Sequence, residues 1–299
     1  MKELSLQEIL NLTSDIQEKK VWYVSIIGRP NTWKSTFINA LLWEKVAITS
    51  HIPQTTRNKI LAIYNDSKSQ IIFIDTPGIH ESRKKINQEI NNQALSSMKE
   101  ASVILYFIDS TRMYGEEEKY IEQVLEYTHS PIIKVYTKID ISHKKIADSE
   151  SANIFFISSV TWEWLKELVE HVKTFLPTGP ILFPEEYYTK QDIRFRISEI
   201  VREKLFYELK EELPHSIFVS VEEIDEQQDI MRISSYIYTE TDSQKYIVIG
   251  KWGSLLSKVW KLAREELEDI FERKIFLALR VKVKKDWRKD EKFLKKMFQ

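Results

Sequence analysis

The run Gly28-Arg29-Pro30-Asn31-Thr32-Trp33-Lys34-Ser35 constrains this chain more than any other. Before it stands the apolar stretch Val21-Trp22-Tyr23-Val24-Ser25-Ile26-Ile27, which predicts a buried strand; after it, Thr36-Phe37-Ile38-Asn39-Ala40-Leu41-Leu42 predicts the first turns of a helix. A strand, a loop of this length, Lys-Ser and a helix form the setting of a phosphate-binding loop. Backbone N–H groups and a helix N-terminus surround phosphate oxygens, the lysine reaches the terminal phosphates, and the serine hydroxyl binds magnesium. One position departs from G-x-x-x-x-G-K-[ST]: Trp33 stands where glycine lets the backbone approach the phosphate.

At 299 residues the chain has room for one or two domains, each able to bury a core. A hydrophobic content of 42% and a charged content of 30% describe a globular protein. Apolar runs stay short of the roughly 18 residues that a membrane span requires. Met1-Lys2-Glu3-Leu4-Ser5 lacks the basic-then-apolar layout of a signal peptide, so cytoplasmic residence is expected. The absence of cysteine excludes disulfides, thiol catalysis and Cys-ligated zinc, and six scattered histidines argue against a His-based metal site. The net charge of −1 conceals an asymmetry: from Lys245 to Gln299 there are 16 Lys and Arg against 8 Asp and Glu, leaving −9 for the remainder. A basic end on an otherwise acidic chain fits a polyanionic partner, although a solvated helical face has the same composition.

After a lead-in over 1–20, apolar runs alternate with helical patterns. Lys59 to Tyr64 and Gln70 to Ile74 predict paired strands, and Val103–Asp109, Pro131–Tyr136 and Ile154–Ile157 predict further buried ones. This alternation predicts an α/β domain over 21–178, a doubly wound and mostly parallel sheet with ligand loops at the strands' carboxyl ends. Asp75-Thr76-Pro77-Gly78, Thr137-Lys138-Ile139-Asp140 and Ser158-Ser159 each close one of these strands, and Pro53-Gln54-Thr55-Thr56-Arg57-Asn58 forms a polar loop between. In this order and spacing the motifs are those of a GTPase. Asp140 accepts hydrogen bonds from the guanine N1–H and exocyclic amine, which adenine cannot donate.

Pro177-Thr178-Gly179-Pro180 opens a linker over 179–192. The pattern over 193–299 predicts an α+β domain: a helix from Ile193 to Leu213, alternating strands at 216–221 and 231–238, an apolar run Tyr246–Ile249 taken as a strand, and a last strand Ile275–Val283. Gly250-Lys251-Trp252-Gly253, placed before an amphipathic helix, fits the G-x-x-G loop with which a KH domain clamps single-stranded RNA; a helix-start turn is the plainer alternative.

The chain resembles the Era family of ribosome-assembly GTPases over nearly its whole length. The resemblance is carried by Gly28-Arg29-Pro30-Asn31 with Lys34-Ser35-Thr36, Lys45 to Ser50, Pro53 to Asn58, Asp75 to His80, Ile249-Gly250-Lys251 and Val281 to Arg288. It implies a P-loop GTPase domain joined to a type II KH domain that binds the 3′ end of 16S ribosomal RNA, assembly of the small (30S) subunit, a monomer, and peripheral contact with the inner membrane. Under it, Lys34 neutralises the β- and γ-phosphates of GTP, Ser35, Thr56 and Asp75 hold Mg2+, and the Gly78 amide senses the γ-phosphate. Asn31 would coordinate a potassium ion. Gly28, Arg29, Pro30, Thr32, Trp33, Thr36, Thr76 and Pro77 complete the phosphate site. Thr137, Lys138, Asp140, Ser158 and Ser159 form the base site, and Gly250, Lys251, Trp252, Gly253 and Lys258 bind RNA. Thr137 stands where the family has asparagine, which is expected to weaken the base contact. Ile79 stands where Ras-like enzymes place a water-orienting glutamine, which predicts slow hydrolysis.

Six glycines against eight tryptophans invert ordinary usage, since about 7% glycine gives roughly 20 in a chain of this size. Trp22, Trp33, Trp43, Trp162, Trp164, Trp252 and Trp260 all occupy positions where the resembled family has glycine, and only Trp287 matches a family tryptophan. Because UGA encodes glycine in some bacterial lineages, the pattern predicts glycine codons decoded as tryptophan. Taken as written, Trp33 favours a different function, that of an RNA-binding assembly scaffold with a degenerate, non-hydrolysing nucleotide site.

Overall fold

The computed structural model describes residues 18–50, 52, 55–80, 85–142, 152–210, 212–290 and 293. Most of the lead-in over 1–20, Pro53, Gln54 and nearly all of the tail beyond Asp290 lie outside them. The chain divides into two compact units: residues 1–47, 58–81 and 91–190 form the first, and 48–57, 82–90 and 191–299 the second.

The first unit begins with β1 (Lys19–Gly28), α1 (Lys34–Leu42), β2 (Ile60–Asn65) and β3 (Ser69–Asp75). It continues through α2 (Lys85–Glu100), which belongs to it from residue 91 onward, β4 (Val103–Asp109), α3 (Glu116–Leu125), β5 (Ile132–Thr137), β6 (Ile154–Phe156), α4 (Leu165–Lys173) and β7 (Thr178–Gly179). The strands lie in the order β2-β3-β1-β4-β5-β6, with β7 on β1. All pairings are parallel except β2 with β3 and β7 with β1. Parallel strands covered on both faces require continuous apolar runs. Val24, Ile26, Ile27, Phe73, Ile74, Val103, Leu105 and Phe107 supply them, all fully buried. Gly28, Asp75, Asp109 and Thr137 end β1, β3, β4 and β5 at one edge, so the topology alone gathers the motifs there.

The stretch 179–192, expected as a linker, is held against this sheet through residue 190. Thr178 and Gly179 pair with β1, Ile63 donates its amide to the Tyr188 carbonyl at 2.9 Å, and Gln70 bonds the backbone of Leu182 and Phe183. Backbone donors and acceptors on the edge strand β2 are satisfied by this strap.

The second unit contains α5 (Ile193–Glu208), β8 (Phe218–Glu226), β9 (Ile230–Thr239), α6 (Asp242–Ile249), α7 (Ser254–Phe271) and β10 (Lys274–Val283). Asp192 caps α5 by accepting from the Arg194 amide at 2.8 Å. The helix ends at Glu208, short of the expected Leu213. Its sheet runs β10-β9-β8, with β9 parallel to β10 and antiparallel to β8. Ile197, Val201 and Leu205 of α5 and Val259, Ala263 and Leu267 of α7 are buried in one cluster with Ile233, Ile237, Ile275 and Leu277 of the sheet.

The run Tyr246–Ile249, expected as a strand, is the end of helix α6. A short apolar run does not distinguish the two states. Here the signal lay upstream: Thr241 accepts from the Gln244 amide while the Gln244 side chain accepts from the Thr241 amide, a capping box that starts a helix. The 250–253 loop therefore joins two helices.

Trp287 closes this core from the C-terminal side. It is fully buried, donates Nε1–H to the Ser216 carbonyl at 3.1 Å, and lies against Phe218 and Phe293. Trp287→Ala is expected to destabilise the second unit by about 3–5 kcal/mol, and Trp287→Phe by less, in urea unfolding followed by circular dichroism.

Candidate functional site

Three loops converge where β1 and β3 end. Gly28 has no room for a Cβ, which would lie 2.6 Å from the Phe107 carbonyl oxygen. A Cβ on Gly78 would fall 2.3 Å from the Pro30 nitrogen, so the Asp75–Gly78 turn sits directly on the phosphate loop. The Ile79 amide donates to the Gly28 carbonyl at 3.0 Å, and the Thr76 hydroxyl to the Ile26 carbonyl at 2.6 Å. Thr32 donates its hydroxyl to the Arg29 carbonyl at 3.0 Å. Arg29 is itself anchored to Glu118 and Glu117 at 2.8 and 3.2 Å.

Inside this frame sit two opposite charges. Lys34 Nζ donates to the Arg29 and Gly28 carbonyls at 2.9 and 3.3 Å, and burial lowers its pKa from 10.5 to about 8 against the pull of Asp75. Ser35 Oγ donates to Asp75 Oδ2 at 2.5 Å. Burial raises the Asp75 pKa from 3.8 to about 6, opposed by Lys34 and by the Ser35 hydrogen bond. Asp75 Oδ1 is buried with no hydrogen-bond partner. A desolvated carboxylate oxygen with an unused lone pair, on the carboxylate that the Ser35 hydroxyl bonds, fits a hard cation with its waters. Thr36 follows in the first turn of α1.

The base-side residues come from β5 and β6. Thr137 lies within hydrogen-bonding distance of the Thr32 and Ile108 carbonyls, at 3.2 and 3.3 Å, so its hydroxyl ties this loop to the phosphate loop. Ser158 Oγ donates to Asp140 Oδ1 at 2.6 Å and accepts from the Val160 and Thr161 amides, fixing the carboxylate. Ser159 is buried with its hydroxyl unpartnered. Lys138 has a positive φ of 63° and places Nζ 2.7 Å from Asp109 Oδ2 and 5.1 Å from the centre of the Trp33 ring. Asp109 was absent from the sequence-derived set. Its position at the end of a buried strand, like that of Asp75, was the available signal. Ile79 is buried among Ile27, Ala94, Met98 and Ile104, so it is a core residue.

Thr55 and Thr56 are grouped elsewhere. Residues 48–57 belong to the second unit, and here sequence reasoning missed the residues that hold them. Arg57, fully buried, donates to the Ile217 carbonyl at 2.9 Å, the His215 carbonyl at 3.2 Å and the Pro214 carbonyl at 3.4 Å. Its burial, with Arg202 nearby, lowers its pKa from 12.5 to about 9. Arg202 donates to the Thr55 carbonyl and pairs with Glu199 at 2.6 Å. Glu203 accepts from the Thr49 amide at 3.1 Å, and Ile52 packs on the cluster of α5, α7 and the sheet. No periodicity in a polar loop announces such contacts.

In the second unit, Gly250 and Gly253 have φ of 76° and 78°, and a Cβ on Gly250 would lie 2.8 Å from Leu255. Both glycines are therefore demanded by the backbone. Lys251 and Trp252 project between them, with Trp252 95% exposed. Lys258, one turn into α7, pairs with Glu208 at 2.8 Å.

Comparison with known proteins agrees with both units. The family described as 50S ribosome-binding GTPase matches residues 23–138, and the KH domain family matches 212–288. The chain is similar to the GTPase Era of Geobacter metallireducens, 41% identical over 286 residues that cover 92% of this chain and 96% of the relative. It is similar to that of Halothermothrix orenii, 39% identical over 287 residues covering 93% and 98%. Among solved structures, Era in complex with MgGDPNP and nucleotides 1506–1542 of 16S ribosomal RNA superposes with a TM-score of 0.88 at 36% identity, covering 93% of this chain and 98% of that one. A variant of Aquifex aeolicus Era bound to GDP·AlF4− gives 0.88 at 36% identity, covering 92% and 98%.

Arg57→Ala removes a charged donor from three buried carbonyls. It is expected to cost about 3 kcal/mol and to open 48–57 to limited proteolysis without nucleotide, with the cut mapped by mass spectrometry.

Proposed function

The chain belongs to the Era family of GTPases, and we propose that it is a GTP-binding, GTP-hydrolysing switch that binds the 3′ end of 16S ribosomal RNA and assists assembly of the small ribosomal subunit. The observation that carries the nucleotide half is the buried Lys34, Ser35 and Asp75 set, with Asp75 Oδ1 unpartnered. Ser35 and Asp75 would hold Mg2+, Asp75 through water, and the ion would supply positive charge to the β- and γ-phosphates. Lys34 gives up carbonyl partners for phosphate oxygens, which offsets its burial. Asp140, held by Ser158, reads the guanine N1–H and exocyclic amine. Asn31, with a φ of 64°, stands in the phosphate loop where the family resemblance implies potassium. Ile79 offers no side-chain hydrogen bond to a water, so hydrolysis depends on positioning and charge and is slow without help.

The RNA half rests on the Gly250–Gly253 loop at the junction of α6 and α7, with Lys251 exposed for phosphate contact. Thr56 would complete the magnesium shell with GTP bound. Arg57, Arg202 and Glu203 tie the segment carrying Thr56 to the RNA-binding unit, so ordering of that segment by GTP is the two-state element that gates RNA access. Among the described residues no helix is long and apolar enough to cross a membrane. Contact with the inner membrane would be peripheral and made by the basic C-terminal stretch. The scaffold reading keeps one specific observation in its favour, the indole of Trp33 in the phosphate loop.

GTP binding separates the two readings: measurable Mg2+-dependent binding supports the switch, and none supports the scaffold. Asp140→Asn is expected to lower GTP affinity at least tenfold and to raise that for xanthosine triphosphate, whose C2 carbonyl accepts from an amide; fluorescent-nucleotide titration measures both. The pH dependence follows from Asp75. Its folded pKa, about 6, lies above 3.8, so the protonated form is favoured by folding. Its contribution to unliganded stability is fully present below 3.8 and is lost as pH rises through about 6. Magnesium needs the carboxylate, so Mg·GTP affinity is expected to fall about tenfold per unit as pH drops below that value. Asp75→Asn should abolish this slope.

A further inference from the structure

Among the described residues, nine non-glycine residues have positive φ, and five of them are tryptophan: Trp33 at 62°, Trp43 at 55°, Trp162 at 67°, Trp164 at 60° and Trp252 at 57°. In this region the Cβ of an L-residue crowds the backbone, and only a few per cent of non-glycine residues enter it, mostly Asn, Asp and His. At that frequency, five of the chain's eight tryptophans fall there by chance on the order of once in a million.

The sites are those where glycine serves. Trp43 takes the left-handed position just past the end of α1, with its amide turned back to the Ala40 carbonyl. Trp33 and Trp164 occupy the left-handed residue immediately before α1 and before α4, neither making a side-chain cap. Trp252 lies between two glycines whose own φ values are positive. The side chains gain little in return. Trp252 and Trp43 are 95% and 78% exposed, while Trp287, in ordinary backbone geometry, is fully buried and hydrogen-bonded. Trp43 and Trp162 stack on each other, ring centres 3.8 Å apart, beside a cavity that both help to line.

We propose that positions 33, 43, 162, 164 and 252 are glycine in the protein as its own cells make it, each encoded by a UGA codon that those cells read as glycine. The phosphate loop then reads G-x-x-x-x-G-K-S, with its backbone open to phosphate, and the RNA loop reads Gly-Lys-Gly-Gly. Trp22 in β1 and Trp260 in α7 lack the backbone signature. Trp260 also donates Nε1–H to the Leu277 carbonyl at 2.7 Å and carries Arg264 over its ring. Their codons, not their geometry, assign them. The left-handed backbone at these five positions is independent of any nucleotide.

The first test reads the gene and the native peptides. UGA at all five codons, UGG at Trp287, and glycine masses in peptides spanning 33 and 252 are the expected result. UGG at the five codons, or tryptophan in those peptides, overturns the proposal. The second test compares the chain carrying tryptophan at these positions with one carrying Trp33→Gly, Trp43→Gly, Trp162→Gly, Trp164→Gly and Trp252→Gly. The glycine chain is expected to melt several degrees higher without nucleotide and to bind fluorescent GTP at least tenfold more tightly; a lower melting midpoint counts against the proposal. Glycine masses in the native peptides with no GTP binding by the glycine chain would uphold the reassignment while removing the GTPase reading.

Discussion

A lysine and an aspartate buried together at the carboxyl edge of a parallel sheet govern the first unit. Lys34 and Asp75 are each held away from their ordinary titration by burial, and each is only partly compensated by the other. Charges in such a position are stable only when geometry supplies partners for both. That need accounts for the close surroundings: a loop whose carbonyls face inward to Lys34, a serine at the helix start turned to Asp75, and a glycine at position 78 that lets the two loops touch. Asp75 Oδ1, left without a partner, marks where the arrangement is unfinished. Under the proposed function a divalent cation would supply the partner that Asp75 Oδ1 lacks, and phosphate oxygens would replace the carbonyls around Lys34.

Much of this was legible in the chain. Buried parallel strands are apolar without interruption, so β1, β3, β4 and β5 stood out, and the motifs at their ends fell at one edge because parallel topology puts them there. Thr137 and Ser158 were also found, although their roles as fasteners, one to the phosphate loop and one to Asp140, emerged only in three dimensions. What could not be read were contacts between residues far apart in sequence. Arg57 reaches carbonyls about 160 positions away, and nothing in Gln54-Thr55-Thr56-Arg57 distinguishes that arginine from a solvated one. The misreading of Tyr246–Ile249 has a local cause, since four apolar residues carry no period and the capping box that settles their state lies five residues earlier.

The backbone also tests a sequence against itself. Left-handed residues are fixed by loop length and by the helices that follow, so a fold can demand glycine where the written chain has another residue. Gly28, Gly78 and Gly250 show the demand met, by lack of room for a Cβ. Trp33, Trp43 and Trp252 show it unmet: the Trp252 indole lies in solvent, that of Trp43 is exposed and stacked on Trp162, and that of Trp33 lies half-buried beneath Lys138.

Thr49, Ile52, Thr55 and Arg57, from the stretch 48–57, are built into the core and hydrogen-bond frame of the second unit. The two units are therefore not exchangeable cassettes. A KH domain transplanted from another member would have to bring acceptors for this chain's Arg57, an acid for its Thr49 amide and a seat for its Ile52. The second unit is thus assembled from separate stretches of the chain, and shuffling 191–299 alone would leave a guanidinium without its carbonyls.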